Sequence, residues 1–543
     1  MPAWLHSPRC FSLGAGLLIA CFLLETFFAS RVKSPTFDEP TDIAAALSYV
    51  ETGQIRANMQ HPPLLKELFG ASLWLAGVRL PKTPGAAVMA AGEGGEPLVG
   101  NDIFLKNDPA WVLFWARLPI VLLSAGLGLL IYLWGRQIAG RGAALAALFL
   151  YVLDPTLVAH SFLATIDVGF AAFTLLFFFA LWNYLQSPSK PRLVCCGLAL
   201  GAMLAAKFSA LFLLPVAAVL VWVAMARAPQ TVDKKPRVTV RALAAICLLA
   251  MLTLQILYLS PGGLYWYTKG VLRVNADHDP THLAFLAGRM QHHFNSYFAI
   301  AYLLKEPIPH FLLAAIGLAA LLRGKSISFL AKLFLLLPPL VLFVAHSLWA
   351  DDLGIRYLIP ALPFTWLMGG IGAAWLARGF RPWGISLAAL LGVWLIVTAV
   401  GIYPDHLAYF NEAACLPGNI GRIGLDGGSR CGPLWLDDSN VDWGQGLIQF
   451  RAWMRDNARG RNIRLAYFGS APPQAYGVFV ETIGLQELLT SQTPGLYIVS
   501  GHLMAQGAGL ARLYNSNAAD WMRETPEAVI GHSLYVYDRS GGR

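Results

Sequence analysis

Eleven apolar stretches dominate this chain of 543 residues. They lie near 11–30, 111–134, 142–159, 162–185, 193–208, 210–226, 241–259, 309–322, 329–349, 357–377 and 383–403. A helix needs about 20 mostly apolar residues to cross the hydrocarbon core of a bilayer. The stretches therefore predict a mostly α, polytopic membrane protein with about eleven transmembrane helices. Hydrophobic residues make up 56% of the chain and charged residues only 13%, against about 25% charged in soluble domains. That deficit excludes a soluble globular enzyme, a disordered chain and a nucleic-acid binder.

Cations set the expected orientation. With the N-terminus in the cytoplasm, inner loops carry Arg136 and Arg141, Lys190 and Arg192, and a cluster of Arg227, Lys234, Lys235, Arg237 and Arg241. Arg323, Lys325, Lys332, Arg378 and Arg381 complete the set. The outer turns carry few, as the positive-inside rule requires. An odd number of spans then places the C-terminus outside. The first apolar run follows Arg9, as a signal peptide would. Its length, Glu25 within it and the lack of a small-x-small cleavage site read instead as a retained helix.

Three large pieces fall outside under this topology. The first loop, 31–110, predicts a helix after Pro40, with Ile43, Leu47 and Val50 on one face, and a second over Leu64–Leu75. The Gly/Ala-rich stretch 84–101 reads as a mobile flap. The second piece is 260–308. The third, 404–543, has ordinary soluble composition. Its helix is expected over Trp443–Asn457, and its strands over Ile463–Phe468, Gly495–Ser500 and Ser533–Tyr537, giving a small external α/β domain. The expected division is 1–403 in the membrane and 404–543 outside. Seven cysteines form no CxxC pair. Cys415 and Cys431 are the external pair and are expected to bond in an oxidising compartment. Cys195, Cys196 and Cys247 fall toward the cytoplasm and should stay reduced.

Ionisable residues beside spans are costly and point to function. Asp38, Glu39, His61, Asp167, Lys207, Lys305 and Arg356 all fall on the outer side. Carboxylates can deprotonate a hydroxyl, and Lys and Arg can stabilise a departing phosphate. His and Glu can ligate a divalent cation. The set suits sugar transfer from a lipid phosphate, and equally a phospholipid hydrolase. A transporter or lipid flippase is the alternative, although such proteins place charged groups near the midplane. Each residue also has a plainer role. Asp38 and Glu39 would cap the following helix, His61 would sit in a Pro-Pro turn, Asp167 would pair with Lys207, and Lys207 and Arg356 would snorkel to headgroups.

The run Phe37-Asp38-Glu39-Pro40, followed by Gln60-His61-Pro62-Pro63-Leu64-Leu65-Lys66, resembles the first-loop signature of phospholipid-carrier-dependent glycosyltransferases. This is the superfamily of protein O-mannosyltransferases and lipid A aminoarabinose transferases, of GT-C fold. Pro155, His160 and Asp167, then Lys305-Glu306-Pro307, then Arg356-Tyr357 with Pro360, resemble later family stretches in the same order. Asp438-Ser439-Asn440-Val441-Asp442-Trp443-Gly444-Gln445 is similar to a box of a bacterial branch. The resemblance implies inverting transfer from a polyprenyl-phosphate sugar to a hydroxyl of a protein, lipid or polysaccharide, at the outer face of a bacterial inner membrane. It implies Asp38 as base, with Glu39 and Asp167 shaping the site. Lys207, Lys305 and Arg356 would hold the donor phosphate, and His61 and Lys66 belong to the first-loop motif. A divalent metal would fall to Glu39 and His61. Gln60 stands where relatives often carry Glu, which removes an anionic ligand. Thr41 and Asp42 stand where some carry His.

Overall fold

The computed structural model describes residues 8–227, 238–259, 262–276, 283–416, 418–458, 460–491 and 493–540. Lys234, Lys235 and Arg237 of the inner-loop cluster, and parts of the 260–308 loop, lie outside the described residues. Eight described helices have the length and hydropathy to cross a bilayer: Arg9–Arg31, Pro109–Ala139, Asp167–Gln186, Phe208–Ala226, Val240–Leu257, Phe329–Trp349, Ile355–Gly379 and Trp383–Ile402. Tyr297–Lys305 and Ile308–Arg323 add a ninth if taken as one span, bent by 110° between them. The chain is a multi-pass membrane protein.

Three of the eleven expected spans are not long helices: 309–322 is the 16-residue second limb of the bent pair, and two more are broken or shortened. The run 142–159 breaks into Arg141–Val152 and Pro155–His160. Pro155 lacks an N–H to continue the ladder, and the Asp154 carboxylate accepts from Leu157 N at 2.9 Å, starting a new helix. The run 193–208 forms Lys190–Ala206, 17 residues, about 26 Å at the helical rise. It stops at Lys207, whose backbone is extended. Both segments still act as return limbs. Lys207 bonds Asp167, so Lys190–Ala206 ends at the level where Asp167–Gln186 begins.

Small residues let the limbs pack closely. A Cβ at Gly317 would lie 1.8 Å from the carbonyl oxygen of Met368, so Ile308–Arg323 meets Leu362–Gly379 backbone to backbone. In the first loop, helices Glu39–Thr52 and Leu64–Leu75 form as expected. The flap expectation at 84–101 is corrected. Pro84–Ala91 and Glu96–Lys106 are helical, the first capped by the Thr83 side chain. Gly100 rests on the backbone of Pro40, which ties this segment to the helix that follows Asp38.

Strands β1 (Ala284–Leu286) and β2 (Arg289–Gln291) form a hairpin in the second outer piece. The C-terminal region folds as a five-stranded mixed sheet of β3 (Ile463–Ala466), β4 (Glu481–Thr482), β5 (Leu496–Ser500), β6 (Ala528–Ile530) and β7 (Leu534–Asp538), in the order β4-β3-β5-β7-β6. β3 runs parallel to β4 and β5, and β7 antiparallel to β5 and β6. The helix expected from Trp443 begins at Leu447, because Trp443–Gly446 are drawn into contacts with the first loop. Cys415 and Cys431 are disulfide-bonded, and Cys195, Cys196 and Cys247 are free.

Candidate active site

The strand-like stretch before Asp38 is fixed by the C-terminal region. Ser34 N donates to the carbonyl of Gln445 at 3.1 Å, and Phe37 N to that of Trp443 at 2.7 Å. Ser34 Oγ donates to Gly444 O and accepts from Leu447 N, each at 3.0 Å. The Trp-Gly-Gln turn is therefore a clamp on the backbone that carries Asp38. Gln445 Oε1 in turn accepts from Trp443 N at 2.7 Å, which holds the turn itself.

Asp38 stands at the N-cap position of its helix, yet its side chain makes no cap hydrogen bond. The capping role accordingly does not account for its carboxylate. That carboxylate instead accepts from Arg356 Nη1 at 2.6 Å. The Arg356 guanidinium also lies 4.3 Å from the Trp443 ring centroid, a cation–π contact. Its Nε is buried and has no hydrogen-bond partner.

Across the cleft, Lys207 Nζ donates to Asp167 Oδ1 at 2.7 Å and sits 4.6 Å from the Tyr357 ring centroid. The other oxygen of Asp167 is buried and unpartnered. Asp38, His61, Asp167, Lys207 and Arg356 line one cavity of about 400 Å³, together with Phe37, Thr165 and Tyr357. Burial, followed by the nearby Lys66, Lys207 and Arg356 charges, holds the His61 imidazole well below its usual pKa. At neutral pH it is an uncharged ring facing two cations.

Three predicted site residues lie elsewhere. Glu39 is fully buried behind Asp38. Its oxygens accept from Arg117 Nε and Nη2, each at 2.8 Å, from Ala164 N at 2.8 Å and from Thr36 N at 2.9 Å. A carboxylate with its acceptor sites filled in this way does not face the cavity as a ligand or catalytic acid, and Glu39 shapes the site from behind. Lys305 is also buried. It donates to the carbonyls of Leu407 at 2.7 Å and Asn440 at 2.6 Å, which fixes the C-terminal region rather than a phosphate. Lys66 is fully buried, donates to Asn58 O at 2.8 Å and lies 3.5 Å from Asp42. Burial is the main reason that the Asp42 carboxyl is pushed up to about 7.

The residues proposed for a metal do not fit one. Glu39 is spent on Arg117 and backbone donors, and it forms no cluster of metal-ligating groups with His61 among the described residues.

Two contributors escaped the sequence reading. Arg117 sits inside an apolar run, and that placement was the available signal. Trp443 lay in a recognised box, but nothing in the box says that its ring meets Arg356.

Residues 105–254 match the family model described as dolichyl-phosphate-mannose-protein mannosyltransferase. No curated protein matches the chain. Among solved structures it is similar to ArnT from Cupriavidus metallidurans in the apo state, at 12% identity and TM-score 0.47, covering 96% of this chain and 97% of that one. The same protein bound to undecaprenyl phosphate matches over the same shares at 12% identity and TM-score 0.43. The Archaeoglobus fulgidus oligosaccharyltransferase in its apo form matches at 10% identity and TM-score 0.46, over 91% of this chain and 71% of that one. The family-model match spans 150 of the 543 residues, all within the helical body.

Proposed function

We propose that this protein transfers a sugar from a polyprenyl-phosphate carrier to a hydroxyl acceptor at the outer face of the membrane, with inversion at the anomeric carbon. One observation carries the reading: two acid–cation pairs from separate segments face one cavity, and each pair leaves a buried polar atom unspent, Arg356 Nε and Asp167 Oδ2. Buried polar atoms without partners are costly, and a phosphate with its sugar supplies the complement to both.

In this reading the acceptor hydroxyl attacks the anomeric carbon while the carbon–oxygen bond to the phosphate breaks. Asp38 takes the hydroxyl proton as general base. Arg356 and Lys207 receive the negative charge that develops on the departing phosphate. Arg356 has donors to spare for that oxygen while Nη1 stays on Asp38. Asp167 fixes Lys207. Neutral His61 offers a hydrogen bond to the phosphate or sugar without competing for the proton. The motif match over 105–254 supports the same donor class.

The test is mass analysis of products after the purified protein is offered a panel of polyprenyl-phosphate sugars with membrane extract. A sugar-modified acceptor together with free polyprenyl phosphate is expected. Donor accumulation across a liposome with no covalent product would overturn the proposal and favour a flippase.

A further inference from the structure

A second group of ionisable side chains lies in the helical body and plays no part in the cleft. Asp154 precedes the short helix Pro155–His160, Glu306 occupies the break between Tyr297–Lys305 and Ile308–Arg323, and His310 follows one turn into the latter helix. All three are at most 3% exposed. His310 Nδ1 lies 3.0 Å from Asp154 Oδ2 and 3.3 Å from Glu306 Oε2. One ligand atom from each lies within 4.8 Å of the others.

Hydrogen bonding leaves this group incomplete. A single N–H at Nδ1 faces two carboxylate oxygens, the Asp154 and Glu306 carboxyls lie within hydrogen-bonding reach of each other, and Glu306 Oε1 and His310 Nε2 are buried with no partner. Neither carboxylate is paired with a lysine or arginine among the described residues. Lys305, next in sequence, turns its ammonium to two backbone carbonyls. Buried carboxylates in such a setting require a cation or a proton.

We infer that Asp154, Glu306 and His310 bind a divalent metal ion, Zn2+ by ligand type. Zinc accepts imidazole nitrogen and carboxylate oxygen at about 2.0–2.2 Å, so its tetrahedral ligands stand about 3.3 Å apart. The observed separations of 3.0 and 3.3 Å are close to that edge, and the Asp154–Glu306 pair lies within 4.8 Å. The three protein ligands leave a fourth position, which water fills in zinc sites of this ligand count. Two carboxylates and a neutral imidazole leave the filled site uncharged, which suits the bundle interior. The outer hydrogen bonds that orient metal-ligating carboxylates are in place: Trp366 Nε1 donates to Asp154 Oδ2 at 3.0 Å and Leu157 N to Oδ1 at 2.9 Å. Binding displaces the proton held at His310 Nδ1 to solvent. The ion would staple the break at Asp154 to the 110° bend at Glu306, independently of the transfer reaction.

The test uses the full-length protein in detergent, dialysed against Zn2+ or Mn2+ and then against buffer. About one equivalent of zinc per chain is expected by elemental analysis, with X-ray absorption reporting a nitrogen and oxygen shell. Glu306→Gln and His310→Gln should each lower zinc at least tenfold in the monodisperse fraction, while Glu67→Gln retains it. Wild-type protein that binds neither ion, a sulfur-ligated ion, or Glu306→Gln with full zinc would overturn the inference. If the variants do not fold, the wild-type stoichiometry and absorption spectrum still decide. Manganese bound in place of zinc would overturn the choice of ion.

Discussion

Asp38 and Glu39 are neighbours in sequence and opposites in situation. Asp38 faces the cavity with its side chain about one-third exposed and shares a single close bond with Arg356. Glu39 is fully buried, and Arg117 and two backbone N–H groups fill its oxygens. The same contrast runs through the region. The pairs that face the cleft, Asp38–Arg356 and Asp167–Lys207, keep unspent atoms. Those behind it, such as Glu39–Arg117 and Lys33–Asp405, are enclosed. A carboxylate with free capacity can do chemistry, whereas one with none holds backbone in place. Adjacent acids thus divide the work between reaction and support.

The sharpest way to break this comparison is to neutralise each acid without changing its shape. Asp38→Asn is expected to lower sugar transfer by about 10²–10⁴-fold, the usual contribution of a general base, with the melting temperature nearly unchanged. Transfer at the wild-type rate would remove Asp38 from its role.

Glu39→Gln should do the reverse. It leaves Arg117 buried without a counter-charge, a loss of about 3–5 kcal/mol. Thermal unfolding in detergent should show a large drop, and a Glu39→Gln, Arg117→Met double variant should recover part of it. A Glu39→Gln protein of normal stability but no activity would erase the distinction between the two acids.

Lys207→Met is expected to act on substrate binding. Loss of one charged hydrogen bond is worth about 1.5–3 kcal/mol, read as a raised KM for the lipid donor in initial-rate assays. Its effect should be smaller than that of Asp38→Asn on kcat.

The smallest effect concerns a half-buried group at the rim of the C-terminal sheet. His532 bridges Asp405, at 2.7 Å, and Asp426, at 3.1 Å. Those two carboxylates outweigh burial and raise it to about 9. A folded pKa above the ordinary 6.5 means that its stabilisation is complete below 6.5 and is lost as pH rises through about 9. The melting temperature should fall by a few degrees over that window, and His532→Gln should flatten the fall.

Several of these features were readable before the fold was known. The Asp-Glu-Pro and His-Pro-Pro runs carry their chemistry in adjacent residues, so motif and position sufficed. The helix after Pro40 and the helix Leu64–Leu75 followed from apolar spacing. Hydropathy located the long helices but was blind to breaks and to the limb Tyr297–Lys305. Asp154-Pro155 and Lys207 interrupt apolar runs through backbone geometry that a window average smooths away. Lys305 misled because a lysine at a helix end has the same sequence signature whether it meets phosphate or carbonyl oxygen. The partner that fixes Glu39 is 78 residues away, and no local pattern records that pairing. The Cys415–Cys431 bond was readable because topology left one external pair.

The Trp-Gly-Gln clamp bears on engineering. Residues 443–445 hold the peptide just before Asp38 by backbone hydrogen bonds from across more than 400 positions of sequence. A chimera spliced at 403/404 would transplant half of the catalytic architecture. Exchanging the tail between relatives therefore requires exchanging the first loop with it as a matched set.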